Sequence, residues 1–70
     1  MSNRQMECLT LIAAGQTSAS IARTLGISRR TVDHYIGLLC GKLGVRTRAQ
    51  AVGVAVARGI IPPPDSLASF

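Results

Sequence analysis

Residues 21–32 read IARTLGISRRTV, and this stretch decides the fold. Apolar residues at helical spacing lead up to Gly26, and a glycine there can adopt the left-handed conformation that ends a helix. Two residues later, Ser28 is of a type that caps the start of a helix. A turn of about three residues that contains glycine, between a short helix and a longer one, is typical of a helix-turn-helix. The stretch therefore predicts two helices joined by this turn, at about 18–25 and 29–43.

The same signals predict one further helix on each side of this pair. Ser2 followed by Gln5 forms a capping-box pattern and begins a helix at about 3–14. Thr47 followed by Gln50 repeats the pattern for a fourth helix that ends near Arg58. The predicted caps are Ser2, Thr17, Ser28 and Thr47, and the predicted glycine stops are Gly15, Gly26, Gly44 and Gly59.

The core is predicted to be aliphatic, because the chain contains only two aromatic rings, Tyr35 and Phe70. Seventy residues are enough for a single domain. The fold class predicted is all-α, a four-helix helix-turn-helix domain at 1–61. The inward positions predicted from helical spacing are Met6, Leu9, Ile12, Ala13, Ile21, Ala22, Leu25, Val32, Tyr35, Ile36, Leu39 and Leu43.

The end of the chain is predicted to differ from the rest. Ile60 and Ile61 should fold back onto the core. Three consecutive prolines begin at Pro62 and stop any helix. Residues 62–70 are therefore predicted to form a flexible, Pro-rich tail.

The chain is basic, with eight Lys and Arg against three acids and a net charge of +5. A basic block attracts phosphate or an anionic membrane surface, and a merely solvated face is the alternative. Six of the eight cations lie between positions 23 and 48, namely Arg23, Arg29, Arg30, Lys42, Arg46 and Arg48.

Composition argues against several other classes of protein. Three acids, one histidine and two separated cysteines offer no close acid–base pair and no spacing typical of a metal site. Neither an enzyme nor a metal or other cofactor is expected. No apolar run approaches the roughly 20 residues of a membrane span. The cytoplasm is the predicted compartment, with Cys8 and Cys40 reduced and part-buried, and a disulfide between them is the alternative.

The second helix of the motif begins with a cluster of residues suited to DNA. In DNA-binding proteins this helix enters the major groove by its N-terminal end. Arg29 and Arg30 could reach phosphates or guanine, and Thr31 could bind phosphate or belong to the cap. His34 could contact a base or be solvated. Asp33 should either accept from cytosine N4 or hold a neighbouring Arg in place.

The other cations have a different predicted role. Lys42, Arg46 and Arg48 lie beyond the groove, so they would bind phosphate and position the protein without reading sequence. Arg23 lies on the helix that crosses the DNA backbone in this geometry.

The chain resembles the LuxR-type (GerE-like) helix-turn-helix family. The pattern Ile-Ser-x-x-Thr-Val at 27–32, followed ten residues later by Lys-Leu-Gly-Val at 42–45, is specific to it. The other matching residues are Arg4, Glu7, Leu9, Ile12, Ala13, Gly15, Ile21, Ala22, Leu25, Arg48, Ala51, Val52, Ala55, Gly59, Ile60 and Ile61. The resemblance implies a tetrahelical domain that binds double-stranded DNA as a two-fold dimer in a bacterial-type transcription regulator.

The sequence departs from the family where base contacts are expected. Asp33 stands where the family favours a basic residue, and Gly37 stands where a polar or basic residue is common. The family usually has Glu where Ser20 stands. Serine cannot close a capping box on the second helix as Glu does. The complete set of predicted DNA-binding residues is Arg23, Ser28, Arg29, Arg30, Thr31, Asp33, His34, Gly37, Lys42, Arg46 and Arg48.

The fourth helix is apolar nearly all round, so one side is predicted to face a partner. The predicted homodimer contacts are Gln50, Gly53, Val54 and Ala57, and an alanine-rich exposed surface is the alternative. The interface would be small, so pairing of the isolated domain should be weak. RNA polymerase is a further candidate partner, and no membrane is expected to be one.

A different class of function stays open from the sequence alone. Asp33 and Gly37 at reading positions, together with the apolar fourth helix, also fit a protein-interaction module that dimerises with and modulates another regulator. A cationic membrane-active peptide fits less well, because the apolar stripes are spread over four short helices with defined stops.

Overall fold

The structure, a computed structural model, describes residues 2–62. It contains four helices: α1 Asn3–Ala13, α2 Ser18–Leu25, α3 Arg29–Leu43 and α4 Arg48–Ala57. No strand occurs in the described part, so the predicted all-α, four-helix fold is confirmed. Apart from Pro62, which is exposed, the predicted tail at 62–70 lies outside the described residues.

All four predicted N-caps are confirmed. In α1 the Gln5 backbone N–H donates to Ser2 Oγ at 3.2 Å, and Gln5 Oε1 accepts from the Ser2 N–H at 3.4 Å. In α4 the Thr47 and Gln50 side chains make the same reciprocal pair. α2 has its Thr17 cap without a box, as its serine at position 20 predicts. The helix starts are thus determined by short-range hydrogen bonds that satisfy otherwise free backbone N–H groups.

The predicted glycine stops are also confirmed, since all four glycines have a positive φ. Gly26 follows α2 with φ +68°, and the next N–H, that of Ile27, donates to the Ala22 carbonyl at 3.1 Å. This bond turns the chain sharply, so that α3 begins shortly after the end of α2.

Gly26→Ala should lower the free energy of unfolding by about 1–2 kcal/mol, because a Cβ is strained in the left-handed region. The matched control is Gly37→Ala, an exposed position within α3 where a new Cβ would meet nothing within 4 Å. At that position alanine should raise the free energy of unfolding by about 0.5–1 kcal/mol. Urea denaturation followed by circular dichroism gives both values, and equal effects of the two changes would contradict this account of the turn.

The core lies where α3 crosses the other three helices, all of which it contacts. Ile61 is buried against it, which confirms that the end of the described chain folds back. The predicted inward stripe of α1 is partly wrong: Gln5 and Cys8 are buried, whereas Met6 and Ala13 are only half-buried. The buried core residues are Cys8, Leu9, Ile12, Ile21, Val32, Ile36, Leu39, Cys40, Leu43, Ala51, Ala55 and Ile61.

Three other predicted inward residues, Ala22, Leu25 and Tyr35, are likewise only half-buried. They pack against the edge of the core rather than within it. Ala22 and Tyr35 lie at one side of the apolar stripe of their helix, and Leu25 is the last residue of α2, so water reaches part of each side chain.

Both cysteines are free and buried, so the predicted disulfide alternative does not occur in this structure. Burial raises the pKa of the Cys8 thiol, the neighbouring Glu7 carboxylate raises it further, and Arg4 partly offsets both. Cys8 therefore stays protonated at neutral pH and packs as a small apolar side chain. Within residues 2–62, none of the helices combines the length and the apolar character that crossing a bilayer requires.

Candidate nucleic-acid interface

The N-terminal turn of α3 is exposed and carries two adjacent cations, Arg29 and Arg30. The turn is held by its cap, because Ser28 Oγ accepts from the Thr31 backbone N–H at 3.1 Å. The hydroxyls of Ser28 and Thr31 also bond each other at 2.8 Å. Thr31 therefore belongs to the cap, the second of the two roles predicted for it.

One line of residues on α3 points away from the core. Arg30, His34 and Gly37 follow one another at helical spacing on the face opposite the buried residues, and all three are exposed. The His34 ring lies beside that of Tyr35, with centroids 6.3 Å apart and planes tilted by 44°. The structure thus brings three of the predicted reading positions onto one free surface.

Asp33 is tied to α2 rather than to an arginine. Its Oδ1 accepts from Ser18 Oγ at 2.8 Å, and Ser18 is only 5% exposed. Of the two roles predicted for Asp33, holding a neighbouring Arg is wrong, since the single ion pair among residues 2–62 joins Arg4 and Glu7. The physical reason is that a buried hydroxyl requires an acceptor, and α2 crosses α3 so that Asp33 supplies one.

A groove runs along α3, from Arg29 to Cys40, beside the starts of α2 and α4. Cations from two parts of the chain meet on its walls: Arg29 from α3, and Arg46 and Arg48 from the start of α4. Arg29 and Arg48, together with Ser18, also line a second groove. Three of the predicted phosphate-binding cations therefore share one surface next to the exposed face of α3.

The electrostatics of this surface favour an anion. None of the six clustered cations forms an ion pair in the described part of the chain. The first turns of α2, α3 and α4 contain no acidic residue of their own to offset the positive ends of their helix dipoles. Among residues 2–62, Asp33 is the single carboxylate that lines the groove.

Two predicted cations lie apart from this groove. Arg23 is exposed in the last turn of α2. Lys42 is exposed in the last turn of α3, about 20 Å along the helix axis from Arg29 at roughly 1.5 Å per residue. Neither residue lines the groove, so only an extended anion such as a nucleic-acid backbone could reach them together with it.

Two residues of this surface escaped the sequence-based prediction. Ser18 was assigned to the start of α2 without a role, because a serine near a helix start carries no further signal. Leu38 is 41% exposed and is the one large apolar side chain so exposed in the described residues. Its position on a helical wheel, beside the stripe that contains Ile36 and Leu39, would have placed it outside the core.

The free face of α4 contains most of the predicted dimer contacts. Gly53 and Ala57 are exposed, whereas Val54 is half-buried and packs against the core. Gln50 is exposed too, but its Oε1 already accepts from the backbone N–H groups of Arg46 and Thr47, at 3.0 and 3.2 Å. Ala49, which is not among the predicted dimer contacts, is exposed on the same helix.

Comparison with known proteins identifies a matching family and several similar proteins. A family model described as "Bacterial regulatory proteins, luxR family" matches residues 1–55. The chain is 38% identical over 63 residues to the transcriptional activator protein AhyR of Aeromonas hydrophila, covering 90% of this chain and 24% of that protein. It is 36% identical over 62 residues to the HTH-type transcriptional activator RamA of Corynebacterium glutamicum, covering 89% of this chain and 22% of that protein.

A solved structure has the same fold. The structure described as "VqmA bound to DPO" superposes with a TM-score of 0.82 and 33% sequence identity, covering 96% of this chain and 34% of that one. The chain spans about a quarter of the length of the curated relatives it matches.

Proposed function

The chain belongs to the luxR family of bacterial regulatory proteins, and we propose that it binds specific sequences of double-stranded DNA and regulates transcription. One observation carries the proposal: the exposed N-terminal end of α3, with Arg29 and Arg30, adjoins the groove in which Arg46 and Arg48 also lie. Because the bacterial chromosome lies in the cytoplasm, that compartment follows from the proposal.

The geometry supports a division of labour between two sets of side chains. The outward line of α3 enters the major groove N-terminus first, so Arg30 and His34 meet base edges. The phosphates beside the major groove of the DNA are then bound by Arg29, Arg46 and Arg48, together with the positive ends of three helices. Arg23 and Lys42 bind phosphates farther along the same duplex.

A titration against salt tests whether this surface binds DNA. With the five proposed phosphate contacts per subunit, the slope of log K against log salt should be about −4 to −5 per subunit. Arg46→Ala should make that slope less steep by about 1. The control is Arg4→Ala, which removes the same charge from α1 and should leave the slope unchanged. Fluorescence anisotropy with a labelled duplex measures the affinity of the original chain and of both variants at each salt concentration. Equal slopes for the two variants would show that the protein groove beside α3 is not part of the DNA interface.

We further propose that two copies pair through the free face of α4. Gly53 lies in the middle of that face and leaves the helix backbone open to close approach. Two-fold pairing would place two copies of α3 in successive major grooves, about one helical turn apart. The small area of the face implies that DNA, which holds both copies, supports the pairing.

Gly53→Glu should abolish this pairing while the monomer stays folded. Glutamate is a better helix former than glycine, but in a dimer the two new charges would lie close to the two-fold axis. Affinity for DNA with two half-sites should fall by about tenfold or more towards that for a single half-site. Gly53→Ala is the control and should retain cooperative binding. Cooperativity that survives in Gly53→Glu would show that another surface forms the dimer.

The second candidate is a module that pairs with another regulator and modulates it. Asp33 and Gly37 favour it, because neither is a usual side chain for reading DNA at those positions. A module of this kind would keep its activity when Arg29 and Arg30 are replaced, whereas a DNA-binding domain would not.

A further inference from the structure

We propose that Asp33 reads a cytosine in each half-site and that Ser18 positions its carboxylate for this contact. This inference rests on the proposed function, since it assumes that α3 lies in the major groove. It adds the identity of one base, which neither the family nor the fold specifies.

The hydrogen bond to Ser18 leaves one carboxylate oxygen of Asp33 for a ligand. Oδ1 accepts from Ser18 Oγ at 2.8 Å, and no other hydrogen bond or ion pair of Asp33 occurs in residues 2–62. Asp33 itself is exposed and lines the groove along α3. An ionised carboxylate only accepts hydrogen bonds, so Oδ2 is free to accept from a donor on a ligand.

The donor that suits Oδ2 in a major groove is the amino group of cytosine. Guanine and thymine present acceptor oxygens there, and phosphate repels a carboxylate. Adenine presents its N6 amino group next to the N7 acceptor, which would also repel a carboxylate nearby. Cytosine N4 is free of such a neighbour on its own base, and acidic side chains accept from it.

The residues around Asp33 leave it little competition for that base. Gly37, one turn farther along the exposed face of α3, has no side chain. Arg29 and Arg48 line the groove beside it and are suited to the flanking phosphates. These cations offset the repulsion between the Asp33 carboxylate and the DNA phosphates, so that the carboxylate can approach a base.

Ser18 acts as a positioning residue. It is buried at the first turn of α2, and its hydroxyl restricts the rotation of the Asp33 side chain. A side chain held in one rotamer loses less conformational freedom on binding, so it discriminates better between bases.

The test is selection from a random-sequence duplex pool with the full chain and its Asp33→Asn variant. Asparagine keeps the shape of the side chain and an oxygen that can accept from Ser18, but it presents an amide N–H donor in place of Oδ2, and that donor suits the N7 acceptor of a purine. We expect cytosine at one position of each half-site for the original chain and a purine at that position for the variant. The Ser18→Ala variant should still select cytosine at that position, but with a weaker preference over the other bases. If Ser18 had a purely structural role, its replacement would weaken binding to all sequences equally.

A modified duplex tests the same contact chemically. In paired N4-methylcytosine the remaining amino hydrogen bonds guanine, so the methyl group replaces the donor in the major groove. The original chain should lose about 5- to 100-fold in affinity for such a duplex, and Asp33→Asn should not show this loss. A motif that is identical for both proteins at every position would overturn the inference but leave DNA binding intact. Failure of the original chain to bind any duplex would instead overturn the proposed function, and the inference with it.

Discussion

Leu39→Ala is expected to lower the free energy of unfolding by about 2–5 kcal/mol. Leu39 is fully buried in α3, which contacts all three other helices. Truncation would therefore remove apolar packing at the centre of the core and leave a cavity there. A domain of 70 residues has a total stability of roughly 4–10 kcal/mol, so the change removes a large part of it.

Leu38→Ala is the matched control for this prediction. It is the same substitution at the adjacent position, where the side chain is 41% exposed. Its effect on stability should stay within about 1 kcal/mol, because much of the side chain already meets water. Urea denaturation of the two variants measures the difference, and comparable losses would mean that α3 buries a different face.

The double variant Arg29→Ala/Arg30→Ala should weaken DNA binding by on the order of 100-fold at moderate salt. Alanine removes both the proposed phosphate contact of Arg29 and the proposed base contact of Arg30. The salt slope should become less steep by about 1, because Arg29 is proposed to bind phosphate. Both residues stand at the positive end of the α3 dipole, so alanine there should not destabilise the fold. Weaker binding would thus report on the interface and not on unfolding.

Arg29→Lys/Arg30→Lys is the control that separates charge from geometry. Lysine keeps both charges but lacks the planar fork with which arginine binds guanine or phosphate. Binding to unrelated sequences should therefore be retained while preference for the operator falls. Competitive binding assays measure both quantities. Unchanged affinity of the alanine variant would favour the protein-interaction module.

Local signals explain why the helices were predicted well from the sequence. The Ser2–Gln5 and Thr47–Gln50 pairs join residues three apart, and each glycine stop depends on its own backbone conformation. Such features require no knowledge of how the helices pack. The turn at Gly26 was therefore predictable, and with it the order of α2 and α3.

Features that depend on helix crossing could not be predicted in the same way. The bond between Ser18 and Asp33 joins residues fifteen apart and exists only because α2 crosses α3 at that point. From the sequence, an acid on a basic helix suggested an arginine partner. The α1 stripe was partly misplaced for a related reason: the role of Gln5 in the cap was predicted, but its burial depends on how α1 packs against the other helices.

The proposed DNA interface combines both kinds of feature. Arg29 and Arg30 follow directly from the cap at Ser28, so sequence spacing located them. The approach of Arg46 and Arg48 to the same surface depends on how α4 packs against α3. The sequence predicted these two residues as phosphate contacts from the motif geometry and the charge cluster, and not from their proximity to Arg29.

The most direct test of the central claim is selection of the original chain against a pool of random-sequence duplexes at about 50 mM and 200 mM salt. The proposed function predicts one enriched motif with two-fold symmetry, with half-sites about one helical turn apart and much less DNA retained at the higher salt. Failure to retain duplex at the lower salt, or retention without any enriched motif, would contradict a sequence-specific, dimeric reader.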